Sequence, residues 1–189
     1  QFEVGENKYR HWFDGLAMLH GFDIRDGGVR YQSKMLDSET LHVARKTGRI
    51  ARSEFATDPC RTLFGRIASV FSSPLTDNCN VNITTLGDRW IAMTETRLPI
   101  QFNLDTLTVR ERHLIENSIK GPVSTAHPQM DVNRGLSYHY TVDFGFRTRY
   151  RFFSIDPIAR RQKVVAEIPV SRPAYMHSFG MTENYLVLT

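Results

Sequence analysis

From about residue 80 onward, apolar, β-branched and aromatic positions alternate with polar ones in short runs, each closed by Gly, Asn or Asp. A period of two punctuated by turn residues predicts antiparallel strands joined in hairpins. RWIAMTE, LSYHYTVDF and YRFFSID carry the pattern most clearly. Gly87-Asp88, Asn133-Arg134-Gly135 and Glu183-Asn184 tolerate positive φ, whereas Asp105 and Asp156-Pro157 suit type I turns. Residues 9–36 predict a further hairpin, WFDGLAMLHGFDI and VRYQSKML about a turn at Asp26-Gly27-Gly28. One segment changes period: in RTLFGRIASVF, residues 61–71, Leu63, Phe64, Ile67, Val70 and Phe71 share a stripe at helical spacing. A short amphipathic helix follows, whose apolar face either packs on a core or, flanked by arginines, dips into a bilayer surface.

Two longer segments can be laid over each other by their turns. NVNITTLGDRWIAMTET leads through LPIQFNLDTLTVRERHLI, and TAHPQMDVNRGLSYHYTVDF leads through RYRFFSIDPIARRQKVVAEI. Each predicts four strands, and YMHSFGMTENYLVLT opens a third copy. The expectation is an all-β chain in which residues 1–189 form a single incomplete domain, about three blades of a β-propeller. A β-sandwich with comparable hairpins is the alternative.

Composition narrows the classes. With 41% hydrophobic and 23% charged residues the chain has the make-up of a soluble globular protein. No run approaches the roughly 20 apolar residues of a membrane-spanning helix, and QFEVGENKYRHW lacks the order of a signal peptide. Cys60 and Cys79, without a CxxC pattern, point to reduced thiols and a cytoplasmic setting. The net charge is +4, but arginines are interleaved with acids except at Arg147 to Arg151 and Arg160 to Lys163. Nucleic acid is therefore not an expected partner. The absence of an initiator Met, and an end at NYLVLT inside a predicted strand, lead us to expect part of a longer protein.

The repeat gives two histidines a meaning. His127 and His177 lie 50 residues apart, at matching positions before the first turn of consecutive units. Innermost propeller strands face a common axis, so side chains at one level of several blades converge and can share a metal without a short motif. The matching place one unit earlier, around Asn80 to Asn82, holds no histidine. A lone strand histidine is usually structural, and His139, between Tyr138 and Tyr140, is expected to be packed or at the surface. A ligating imidazole donates its other N–H to an acceptor, and Glu95, at the end of RWIAMTE, is the best candidate for that partner. Its bland reading is a solvated carboxylate at a strand end.

YRHWFDGLAMLHGF, DPCRTLF, TDNCNVN, AMTET, FNLDTLTV, TAHPQMD and YMHSFGMTENYLVL together resemble the amino-terminal portion of the carotenoid-cleavage oxygenases. The resemblance covers the whole chain. It implies a seven-bladed propeller with one non-haem Fe(II) on its axis, held by four histidines, and cleavage of a polyene or stilbene double bond with O2. Carried over by motif, it makes His127 the first iron ligand, His177 the second, and Glu95 the glutamate that orients His177; the remaining two histidines would follow Thr189. Stilbene-cleaving relatives tend to carry a lysine where this chain has Thr94, near substrate and O2, which favours a carotenoid or apocarotenoid. The segment after DPC matches the one by which relatives approach membranes, so Leu63, Phe64, Ile67 and Phe71 become the expected peripheral membrane contact. Retinyl-ester isomerisation within the same family, and a non-catalytic lipid- or protein-binding propeller, are the rival expectations.

Overall fold

The computed structural model describes residues 1–52, 54, 75–112, 114, 119–144 and 147–188. Leu63, Phe64, Ile67 and Phe71, with the rest of the predicted helix at 61–71, lie outside the described residues. A small ribbon of β1 (Glu3–Val4) and β2 (Asn7–Lys8) opens the chain. The hairpin β3 (Met18–Arg25) and β4 (Gly28–Met35) follows, and then one helix, α1 (Glu39–Thr47). Two antiparallel sheets come next. The first runs in order through β5 (Asn82–Leu86), β6 (Arg89–Met93), β7 (Ile100–Phe102) and β8 (Val109–Arg112). The second contains β9 (Val123–Ser124), β10 (Gln129–Asp131), β11 (Leu136–Asp143), β12 (Arg149–Asp156) and β13 (Arg161–Pro169). A short hairpin, β14 (Gly180–Met181) and β15 (Leu186–Val187), begins a third unit.

The opening hairpin and the first four-stranded repeat are thus present, whereas the second repeat has five strands because its leading strand is split into β9 and β10. The hairpin turns on Asp26 and Gly27, both at positive φ (51° and 76°), which lets two residues reverse the chain with the twist the strands need. Its first strand starts later than expected, at Met18, because Trp12–Asp14 form a 3-10 turn capped by His11. Helix α1 has no counterpart in the expectations, although Ser38 accepts from Leu41 N–H at its start and Gly48, at φ 63°, closes its end. Asp77 completes the start, accepting from the N–H groups of Glu39 (2.6 Å) and Thr40 (2.8 Å). Among the described residues no sheet closes on itself.

Strand composition shows how the sheets stack. In β12, Tyr150 and Phe152 enter one core cluster, while Phe153 and Ile155, on the opposite face, enter another. Both faces of β12 are covered, so its six central residues, 150–155, are all buried, the polar Arg151 and Ser154 included. The cluster of Leu86, Ile91, Met93, Phe153 and Ile155 joins the first four-stranded sheet to the second. Ala17, Leu19, Ala92 and Ile100 join the first hairpin to that same sheet, and Tyr140, Phe152 and Phe179 carry the stacking on to the third unit. Face-to-face stacking of consecutive units brings their leading edges side by side.

His139, in β11, is buried (3% exposed), shares a hydrogen bond of 2.8 Å with Ser137 and stacks on Phe153. It is packed, and burial pushes its pKa from 6.5 down to about 3. Below pH 6.5 the unfolded chain takes up a proton that the folded chain refuses, so stability falls as the pH drops toward 3. Chemical denaturation across that window is expected to show a His139→Gln variant losing less stability than the parent, by up to about 1.4 kcal/mol per pH unit.

Candidate functional site

The inner edge of the second sheet is a broken strand. β9 pairs with the far end of β11 through Thr141 and Val142, and β10 pairs with its near end through residues 136–138, on the same side. Residues 125–128 interrupt that edge, and Pro128 has no N–H to give to a ladder. His127 sits in the gap, two residues before β10, and His177 sits three residues before β14. The pair therefore does not share a strand position of consecutive units but occupies matching places just before the inner strands, His127 in the break and His177 in the segment that leads to β14.

Here the units converge. The imidazole rings of His127 and His177 have centroids 4.3 Å apart, inclined at 60°. Glu95, two residues past β6, reaches across from the first sheet, and its Oε1 lies 2.7 Å from Nδ1 of His177. A carboxylate accepts, so Nδ1 carries the hydrogen and Nε2 keeps the lone pair. The other carboxylate oxygen accepts from the Tyr175 hydroxyl. Burial, then the hydrogen bond to Glu95, and then its charge raise the Tyr175 pKa, so the phenol stays protonated and donates. The main chain of Glu95 is held as well, its carbonyl accepting from Ser124 N–H at 3.0 Å.

His127 is the less exposed of the pair. Among the described residues its Nε2 is buried and has no hydrogen-bond partner, an arrangement proteins avoid unless the atom has other work. Burial first, and then the neighbouring His177, lower its pKa, against an opposing pull from Glu95. Neutral imidazoles are the form that binds a metal. Two converging rings, one oriented by a carboxylate and the other presenting an orphaned nitrogen, fit two neighbouring positions on a transition metal. No group of three or more His, Cys, Asp or Glu gathers as a fuller ligand set among the described residues.

Beside the pair lies an open cavity of about 1110 Å³. Its wall is mostly apolar, with Trp12, Phe13, Leu19, Val81 and Ile83 contributing, and Thr94 (7% exposed) adds an uncharged hydroxyl next to Glu95. Tyr175 and the aromatic pair Trp12 and Phe13 were not anticipated as site residues. Tyr175 stands two residues before His177, and the bend at His177 lets both meet one carboxylate, a signal readable only once the path of the segment is known.

A stack of antiparallel β-sheets whose inner edges bring two imidazoles and a carboxylate together beside an apolar cavity defines a class of β protein with its polar centre at the meeting of consecutive units. Residues 1–189 match the model of the retinal pigment epithelial membrane protein family, and the chain belongs to that family. It is 39% identical over 97% of its length to the beta,beta-carotene 15,15'-dioxygenase of Mus musculus, covering 36% of that protein. It is 35% identical over 99% of its length to the mitochondrial carotenoid-cleaving dioxygenase of Homo sapiens, again covering 36%. Among solved structures, a mutant of the Synechocystis apocarotenoid oxygenase superposes with a TM-score of 0.75 at 26% identity, over 98% of this chain and 40% of that one. The chain thus spans little more than a third of the relatives it matches.

The Glu95 contact makes a direct claim about His177. Nitrogen NMR of histidine-labelled protein is expected to show His177 held as the Nδ1–H tautomer, and in Glu95→Ala to show it shifting toward a mixture of tautomers. An unchanged spectrum would show that the carboxylate does not set the ring.

Proposed function

We propose that this chain is part of an Fe(II)-dependent dioxygenase that cleaves a carbon–carbon double bond of a carotenoid or apocarotenoid with O2. The observation that carries the reading is the His127 and His177 pair, 4.3 Å between rings, with Glu95 on the far nitrogen of His177. The relatives named for carotenoid and apocarotenoid cleavage support the substrate class. In this reading the stacked sheets are about three blades of a seven-bladed propeller, and two further histidines, beyond Thr189, complete a set of four.

Iron, when bound, supplies the activation of dioxygen next to an alkene, chemistry no side chain can perform. Nε2 of His127 and Nε2 of His177 would hold it. Glu95 fixes the ring and tautomer of His177, and Tyr175 holds Glu95 in turn. The cavity wall of Trp12, Phe13, Leu19, Val81 and Ile83 receives the polyene by apolar burial and excludes water from it. Thr94 offers no charge to meet a phenolate, which accords with a hydrocarbon substrate. No described helix is long and apolar enough to cross a membrane, and we assign collection of the lipid-soluble substrate to peripheral contact through Leu63, Phe64, Ile67 and Phe71.

Purified full-length protein is expected to contain one iron per chain and to place oxygen from isotopically labelled O2 into carbonyl products of a carotenoid. His177→Ala should lose both iron and activity, and Glu95→Gln should weaken iron retention about 10–100-fold. An iron-loaded, active His177→Ala variant would sink the ligand assignment. A rearranged product without oxygen from O2 would replace cleavage by isomerisation.

A further inference from the structure

Behind the histidine pair one hydroxyl touches both main chains. Thr125 is fully buried (0% exposed) and lies at the start of the break between β9 and β10. Its Oγ1 accepts the N–H of His127 at 2.9 Å and donates to the carbonyl of His177 at 3.1 Å. The directions are unambiguous, since an amide can only donate and a carbonyl can only accept. A hydroxyl does both at once, with a single hydrogen and spare lone pairs. The main chain of Thr125 is itself held, its N–H donating to Tyr140 at 3.2 Å.

Two side-chain amides hold the same segments on either side. Asn82 of the first sheet donates to the carbonyl of Ala126 at 2.8 Å, and Gln129 donates to the carbonyl of Phe179 at 2.9 Å. These contacts bring the segments together, but among the described residues only Thr125 bonds to the backbone of both histidines. We propose that Thr125 is a positioning residue, whose hydroxyl sets the spacing of the His127 and His177 rings by tying their backbones to one atom. The consequence for a metal rests on the functional reading above. Ligand constellations work only when held to within about 0.5 Å, which a shared atom between two ligand backbones achieves more directly than packing between sheets.

The test uses full-length protein, Fe(II) affinity, and the visible spectrum of Co(II) bound in place of iron. Thr125→Val keeps the side chain's shape and removes both hydrogen bonds; Thr125→Ser keeps the hydroxyl. The valine variant is expected to lose about 10–100-fold in Fe(II) affinity and to show a shifted Co(II) spectrum, while the serine variant returns both to near the parent values. Should the valine variant fail to fold, Thr125→Cys, with a weak S–H donor of similar size, is expected to fall between serine and the loss predicted for valine. Parental affinity and spectrum in a folded valine or cysteine variant, with His177→Ala unable to hold iron, would overturn the role of Thr125 and leave the metal reading standing. A weakened serine variant matching valine would assign the effect to packing and likewise overturn the proposal. Iron retained by His177→Ala would remove the metal reading itself.

Discussion

Peptide groups at an unpaired sheet edge must find partners, and in this chain the inner edges find them in the neighbouring unit. Asn78 donates to the carbonyl of Gly15 and accepts from Ala17 N–H, joining the first hairpin to the first sheet. Asn82 reaches from the first sheet to Ala126 in the second, and Gln129 reaches from the second to Phe179 in the third unit. Apolar faces alone fix how the sheets stack but leave them able to slide. Directional amide contacts fix the slide, and with it the height at which Glu95, His127 and His177 meet, although 82 residues separate the first from the last.

His127 and His139 show what the edge does to a side chain. His139 belongs to a ladder, opposite Phe153, and alternation sends its ring into the core, where it is stacked, hydrogen-bonded to Ser137 and kept neutral. His127 stands in a gap of the ladder, released from alternation, and its ring meets that of His177. Residue type is the same. Pairing decides the rest.

That contrast marks how far the sequence could be read. Strands, turns and the two repeats were legible because alternation and turn residues are local signals, as at Trp90 to Met93 and Asp26-Gly27. The histidine pair was legible because the repeat put it in phase, and Glu95 because it ends an apolar strand. The broken strand was not legible, since a break shows only against the partner that continues past it, although Pro128 hinted at it. Helix α1 was missed despite Ser38 and Gly48 at its ends, because its two buried apolar residues, Leu41 and Ala44, make too short a stripe. Tyr175 and Thr125 act through contacts across 80 and 52 residues, which no spacing rule encodes.

The arrangement around Glu95 also bears on what the cavity can hold. A carboxylate beside an apolar space either draws in water or cation, or must have its oxygens engaged by the protein. Glu95 has one oxygen on His177 and the other under the Tyr175 hydroxyl, and its side chain is 19% exposed. Its charge is thus directed at the imidazole, where it strengthens Nε2 as a donor, and away from the wall formed by Phe13, Leu19 and Val81. Tyr175 therefore serves two ends through one bond: it steadies the carboxylate that orients His177, and it keeps the adjoining space fit for an apolar molecule. Because a single bond does both, losing the hydroxyl would at once turn a carboxylate oxygen toward the chamber and loosen the group that orients His177.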